Sequence, residues 1–417
     1  MTGQKSTPIN INRDDHHPLR VQKYWPGYAS GVARVCRSWS IYPSPDQFNE
    51  LMALVQRLYN EAIEVVSPDQ RPKGTGISMQ RTEQAYRYGQ LARCGMNIYA
   101  LSTPLRDALR KTSLSDVRVG DLRMPFDVLY IGFEEGSGIT FGTRTHPKAL
   151  IVDGAYVTAA PVDPETGKQH IDVCITTRDA LSALRADFGA TWPFSYEPHF
   201  TFSLRGRPDD TFEAALGEAL DTNALDLDVD ENGLHSFRQA VVEYQNEAAA
   251  SGIQINTPAV SVSEELADFK SRNFLEAKKA LSLILGALCA LTARPDDAEL
   301  PESWPEGTPE ALVAKIATAR SPKKRRDAEN NLKKRGFVSV RRLDLDVFGG
   351  STHQSGDGAG GSVAPHWRAG HFRRQPVGKD RSERRLIWIL PTIVNATKGA
   401  PNTGRLYKVK GTPPVTN

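Results

Sequence analysis

The sequence predicts an α+β protein: a helical and antiparallel-sheet body followed by a basic C-terminal α/β subdomain. Three observations lead there. Apolar residues repeat at helical spacing in several segments, including 46–66 and 263–292. Short β-prone runs flank a turn-forming stretch, Pro161-Val-Asp-Pro-Glu-Thr-Gly167, which reads as an antiparallel pair. Charge is also unevenly divided. Residues 320–385 hold 17 Lys or Arg against 7 Asp or Glu, and residues 386–417 add 4 basic and no acidic residues. The whole chain is only +3, so the front is acidic and the back basic.

A chain of 417 residues is long for one core. The expected division is a flexible N-terminal arm over 1–30, a mixed body over 31–295, a Pro-rich acidic linker over 296–309 and a basic subdomain over 310–417. In order, the pattern predicts a strand at 32–41 and a helix at 46–66, with Asp46 as its N-cap. Helices follow at 80–97 and 104–111. Strands are expected at 128–133, 139–142, 149–160, 170–176 and 199–204, with Val152-Asp-Gly154 as a tighter hairpin. Helices are read at 210–219 and 233–249, separated by an acidic stretch at 225–231. That stretch lacks the spacing and mid-loop glycine of a calcium loop. The helix at 263–292 is apolar all round in its second half and belongs in a core. Beyond the linker come helices at 310–319 and 323–335, strands at 337–348 and 386–390, and a final strand at 406–409. Strands 337–348 and 386–394 need partners, so the C-terminal quarter either stands apart or completes the first sheet.

The longest apolar stretch, 280–291, is about a dozen residues, short of the roughly 20 a bilayer requires. The N-terminus has no apolar core of a secretory signal. The cysteines, Cys36, Cys94, Cys174 and Cys289, form no Cys-x-x-Cys pair and read as reduced residues of a cytoplasmic protein. His16 and His17 read as a chance pair in a polar tail. Phosphate-loop, dinucleotide, serine-hydrolase and His-Glu-x-x-His signatures are absent, and no cofactor is expected.

The chemistry concentrates in Pro365-His-Trp-Arg-Ala-Gly-His-Phe-Arg-Arg-Gln375. Histidine moves protons near neutral pH. Arginine binds phosphate by a forked contact. Aromatic rings stack on bases. A metal-independent ribonuclease of toxin or phage-defence type would use His366 and His371 as base and acid and Arg373 on the developing charge. Arg368, Arg374, Gln375, Arg385, Lys323 and Arg326 would hold phosphates, and Trp367 and Phe372 would stack. The two histidines are five residues apart, so they diverge on a helix and lie on opposite faces of a strand. Convergence needs an irregular turn, which Gly370 permits. The expected partner is nucleic acid or a nucleotide, with an acidic protein as the alternative and no membrane. A second reading is a non-catalytic binding module with the segment as an anion-facing loop. A third is structural, with the arginines paired to Asp344 and Asp346. A metal site of His353, His366, His371 and Asp357 matches no known ligand spacing.

Overall fold

The protein is described from a computed structural model, which places residues 16–64, 79–141, 150–179, 199–222, 262–294, 300–348 and 366–394. The sequence readings at 225–231, 233–249, His353, Asp357 and 406–409 lie outside these.

The chain enters through helices α1 (His17–Tyr24) and α2 (Pro26–Val35), then a 3-10 turn at Cys36–Ser38. Helix therefore replaces both the strand expected at 32–41 and the part of the expected arm described here. Pro18 and Pro26 sit in the first turns of the two helices, where a missing N–H costs nothing. Ala29, Val32 and Cys36 recur at helical spacing and are buried. Helix α3 (Pro45–Glu64) follows. Its cap is Ser44, not Asp46: Ser44 Oγ accepts from Gln47 N at 3.3 Å and Ser44 N donates to Gln47 Oε1 at 2.9 Å, a capping box. Helix α4 (Met79–Arg93) leads to strand β1 (Ile98–Leu101), helix α5 (Thr103–Leu109) and strand β2 (Thr112–Ser113). Strands β3 (Val128–Phe133), β4 (Thr140–Phe141), β5 (Leu150–Ala159), β6 (Gln169–Asp179) and β7 (His199–Gly206) precede helix α6 (Phe212–Thr222) and the long helix α7 (Val262–Ala293). Strand β8 (Glu302–Ser303), helices α8 (Glu310–Ala317) and α9 (Pro322–Lys334) and strand β9 (Val340–Leu343) come next. The chain ends in β10 (His366–Arg368), β11 (Gly370–Val377), β12 (Glu383–Ile389) and β13 (Thr392–Val394).

A mixed sheet of eight strands organises the fold, in the order β7-β6-β5-β3-β1-β9-β8, with β4 beside β5. β1 runs parallel to β3 and β9, and the other pairs are antiparallel. The class is α+β, as the sequence predicts. β9 lies next to β1, so this strand of the C-terminal quarter completes the first sheet. It ends at Leu343 because Asp344 Oδ1 accepts from Leu345 N at 2.7 Å and starts a 3-10 turn over Leu345–Phe348.

Two buried clusters cover the two faces of the sheet. Leu129, Ile131 and Phe133 pack with α5, α6 and α7 on one face, and Val128 and Tyr130 pack with α1–α4 on the other. This is strict strand alternation with both faces dry. In β5 the register shifts between Val152 and Gly154. The reading of a hairpin at 152–154 is corrected: the strand runs on through a bulge. One extra residue lets Val152 and Ala155 share a face and turns Asp153 to the other, toward α1.

There Asp153 meets a buried polar network. Its Oδ2 is 2.5 Å from Arg20, and its Oδ1 accepts from Thr176 at 2.5 Å and Tyr130 at 3.4 Å. His17 Nδ1 lies 2.8 Å from the Tyr156 hydroxyl, and Nε2 lies 2.8 Å from the Gln84 amide. The ring of His16 sits edge-on to Tyr130, and neither nitrogen has a hydrogen-bond partner among the described residues. It fits because residue 132 is glycine: a Cβ there would overlap the imidazole. Gly132→Ala should therefore cost about 1–3 kcal/mol by overpacking, read as a lowered midpoint in thermal unfolding.

Candidate anion-facing hairpin

The segment expected as a loop is strand. β10 pairs with β13, placing His366 opposite Val394 and Arg368 opposite Thr392. β11 pairs with β12 and, through Gly370 and His371, with β2. The tight turn that would bring His366 and His371 together is therefore absent. Ala369 separates two strand segments instead. Gly370 serves a close approach: a Cβ there would lie 2.6 Å from Thr112 Oγ1 and 2.8 Å from Pro391 Cδ.

Register divides the hairpin's side chains into two sets. Phe372 faces Trp388, and Arg374 faces Leu386. Phe372 and Leu386 are buried, so this face points inward. Trp388 stacks on Phe372 at 5.6 Å, meets Phe348 edge-on at 5.0 Å and donates from Nε1 to Thr112 Oγ1 at 3.2 Å. Arg374 Nε is 2.9 Å from Asp121 Oδ1. Two expectations change here. Phe372, 1% exposed, is closed to an incoming base, and Arg374 is spent on a carboxylate inside the chain. Of the carboxylates proposed for the structural reading, Asp344 is engaged elsewhere: it holds Arg342 at 2.5 Å and accepts from Ser102 at 3.0 Å.

The outer face carries the polar set. His371 faces Ile389, Arg373 faces Ile387 and Gln375 faces Arg385. Arg373 is exposed, His371, Gln375 and Arg385 are half-buried, and Arg373 donates to Gln375 Oε1 at 2.6 Å. At the tip, Gly378, Asp380 and Arg381 take positive φ, and Lys379, Arg381 and Arg384 are exposed. The hairpin thus joins His371, Arg373, Gln375 and Arg385 into one strip with further cations at its end. Such a strip can take successive phosphates by charge-assisted bonds, with His371 as the one proton-transfer group on it.

The structure does not bring Lys323 and Arg326 to this strip. They lie exposed on α9, capped by Ser321. α9 leads into the start of β9, whereas the hairpin packs beyond the end of β9, against Phe348. The basic quarter therefore presents two surfaces. Among the described residues, no cluster of His, Cys, Asp or Glu has the makings of a metal site. No described helix is long and apolar enough to cross a membrane.

Sequence reasoning missed the His16–His17 network entirely. The available signal was Pro18 followed by Leu19 and Val21, a helix start with apolar residues beside the histidines. Burial, the largest cause, pushes the His16 imidazole down from 6.5 to about 4, and Arg20 and Arg178 push the same way against Asp153. Burial would raise the Asp153 carboxyl, but Arg20 and Thr176 hold it below the usual carboxylate value.

Comparison with known proteins finds that residues 99–396 match the model of the AcrVA2-like family, described as the anti-CRISPR type V subtype A2 family. No curated protein and no solved structure matches.

Proposed function

The chain belongs to the AcrVA2-like anti-CRISPR family, whose model covers well over half of it, and from that premise we propose that it counters a type V CRISPR system by binding RNA along the outer face of the β11–β12 hairpin. The family assignment places the protein in the conflict between phage and host defence, the coarser part of the sequence reading. The observation that carries the finer part is the single face shared by His371, Arg373, Gln375 and Arg385. The inner face is consumed by packing and by the Arg374–Asp121 pair, whereas the outer face carries Arg373 exposed at the surface. The basic subdomain over 310–417 is, in this reading, the part that meets the polyanion.

Fluorescence anisotropy with a short single-stranded RNA, from 50 to 200 mM salt, tests this. Affinity should fall linearly on a log–log plot, by about 0.7 per phosphate neutralised. Arg373→Ala and Arg385→Ala should each weaken binding across sequences and make the slope shallower by about 0.7, one phosphate contact each. Salt-independent binding, or unchanged slopes in both variants, would defeat the proposal. Binding to polyglutamate in place of RNA would move the assignment to an acidic protein partner.

A second reading, cleavage, is favoured by the presence of His371 and Arg373 on one face. His371 would be the acid–base group of a metal-independent ribonuclease, with Arg373 on the phosphorane. Incubation of RNA with the protein in EDTA, beside His371→Ala, separates binding from turnover. Equal or absent cleavage for both proteins discards the nuclease.

A further inference from the structure

A small cleft of about 80 Å³ opens where β8, α9 and the start of β9 meet, away from the hairpin. Its floor exists because the chain turns sharply before β1, with Gly95 at φ 95° and Met96 at φ 60°. Asn97, Glu302, Trp304, Lys333, Ser339 and Arg341 line it. We infer that this cleft seats a guanine base of single-stranded RNA, with Trp304 stacked on the ring, Glu302 accepting from its N1–H and N2–H2, and Lys333 donating to its O6. The inference rests on the RNA-binding reading and names the base that reading leaves open.

The donors and acceptors in the cleft divide into spent and available groups. Asn97 is spent: its Nδ2 donates to Cys94 O at 2.7 Å, and its Oδ1 accepts from Arg341 at 3.0 Å. That bond and the rings of Tyr99 and Phe126, 5.7 and 5.4 Å from the guanidinium, fix Arg341 as a wall. Glu302 is different. Arg325 and Arg341 approach its two oxygens at 3.5 and 3.8 Å, too far for good hydrogen bonds. The carboxylate thus keeps its acceptor sites while two cations orient it. Lys333 is exposed on the last turn of α9, with no ion pair among the described residues. Trp304 is half-buried and lines the cleft.

Guanine is the base that offers two adjacent donors beside an acceptor on its pairing edge. A carboxylate next to an ammonium matches that order. Adenine, cytosine and uracil each meet the carboxylate with an acceptor where guanine has a donor. The cleft is small, so the base enters edge first with its sugar outside. α9 also exposes Lys323, Lys324, Arg326 and Lys334. Aromatic stacking beside a cationic track is how single strands are held.

Two measurements test the assignment. In anisotropy with U-rich hexaribonucleotides that differ at one central base, guanine should bind about tenfold more tightly than adenine, cytosine or uracil. Trp304→Ala and Glu302→Gln should abolish that preference with the salt slope unchanged, and Trp304→Phe should retain most of it. Guanosine 5′-monophosphate, titrated alone at millimolar concentration and followed by calorimetry, should bind, whereas adenosine 5′-monophosphate should not. Equal affinities for the four bases, a preference that survives Trp304→Ala, or no heat with guanosine 5′-monophosphate would overturn the guanine seat. Failure of every RNA to bind while guanosine 5′-monophosphate still does would instead defeat the hairpin reading and leave the cleft.

Discussion

Asp153→Ala is expected to destabilise the protein by about 3–5 kcal/mol, the cost of stranding one member of a buried ion pair. Arg20, with a side chain 8% exposed, would lose the carboxylate 2.5 Å away. Thr176 and Tyr130 would lose their acceptor in the same step. Water cannot replace it, because both faces of the sheet are packed at this point. The companion variant is Asp153→Ala with Arg20→Met. It should recover part of the loss, since no buried guanidinium is then left without its counter-charge. Urea unfolding reads both, as a lower midpoint with an unchanged slope. A loss under about 1 kcal/mol for the single variant would mean that Arg20 finds solvent, and the network would lose its structural role.

Stability should also fall by roughly 3 kcal/mol as pH drops from 6.5 to 4, through His16 alone. The unfolded chain takes up a proton near the ordinary value of 6.5, and the folded imidazole does so only near 4. Between those values the unfolded state binds more protons, so each step down in pH favours it. The contribution is therefore fully present above pH 6.5 and gone below pH 4. Asp153 acts lower: its depressed carboxyl contributes above the usual carboxylate value, and that contribution fades as pH falls through its folded value. His16→Gln removes the titrating ring from the same site, and its urea midpoint should vary less across the window than that of the natural chain. The other histidines remain in both proteins and cancel in the comparison. Parallel pH profiles would show that His16 takes its proton in the folded state as readily as in the unfolded one.

Much of the architecture is legible in local pattern. The apolar run at 128–133 is a strand buried on both faces, the turn at 161–167 does join two antiparallel strands, and the helix expected at 263–292 is Val262–Ala293. Each of these is set by residues next to one another in the chain. The misread start has a similar local explanation. Residues 32–41 carry β-prone side chains, yet Pro26 and the spacing of Ala29, Val32 and Cys36 favour helix once α3 and α4 offer a surface to bury against.

The candidate site divides along the same line. Its residue types, its arginine density and the charge excess around it are properties of the sequence. Which of those residues act together is not. The segment becomes a strand because β2 and β12 supply its hydrogen-bond partners, and Trp388 is tied to Thr112 across 276 positions. That pairing sends Phe372 and Arg374 inward and leaves His371, Arg373, Gln375 and Arg385 outside. It also separates the hairpin from Lys323 and Arg326. By itself the sequence determined the class of the fold, most of its elements and the region where cations gather. Tertiary structure alone decided faces, partners and burial, because a side chain's face follows from strand register, and register follows from partners far away in the chain.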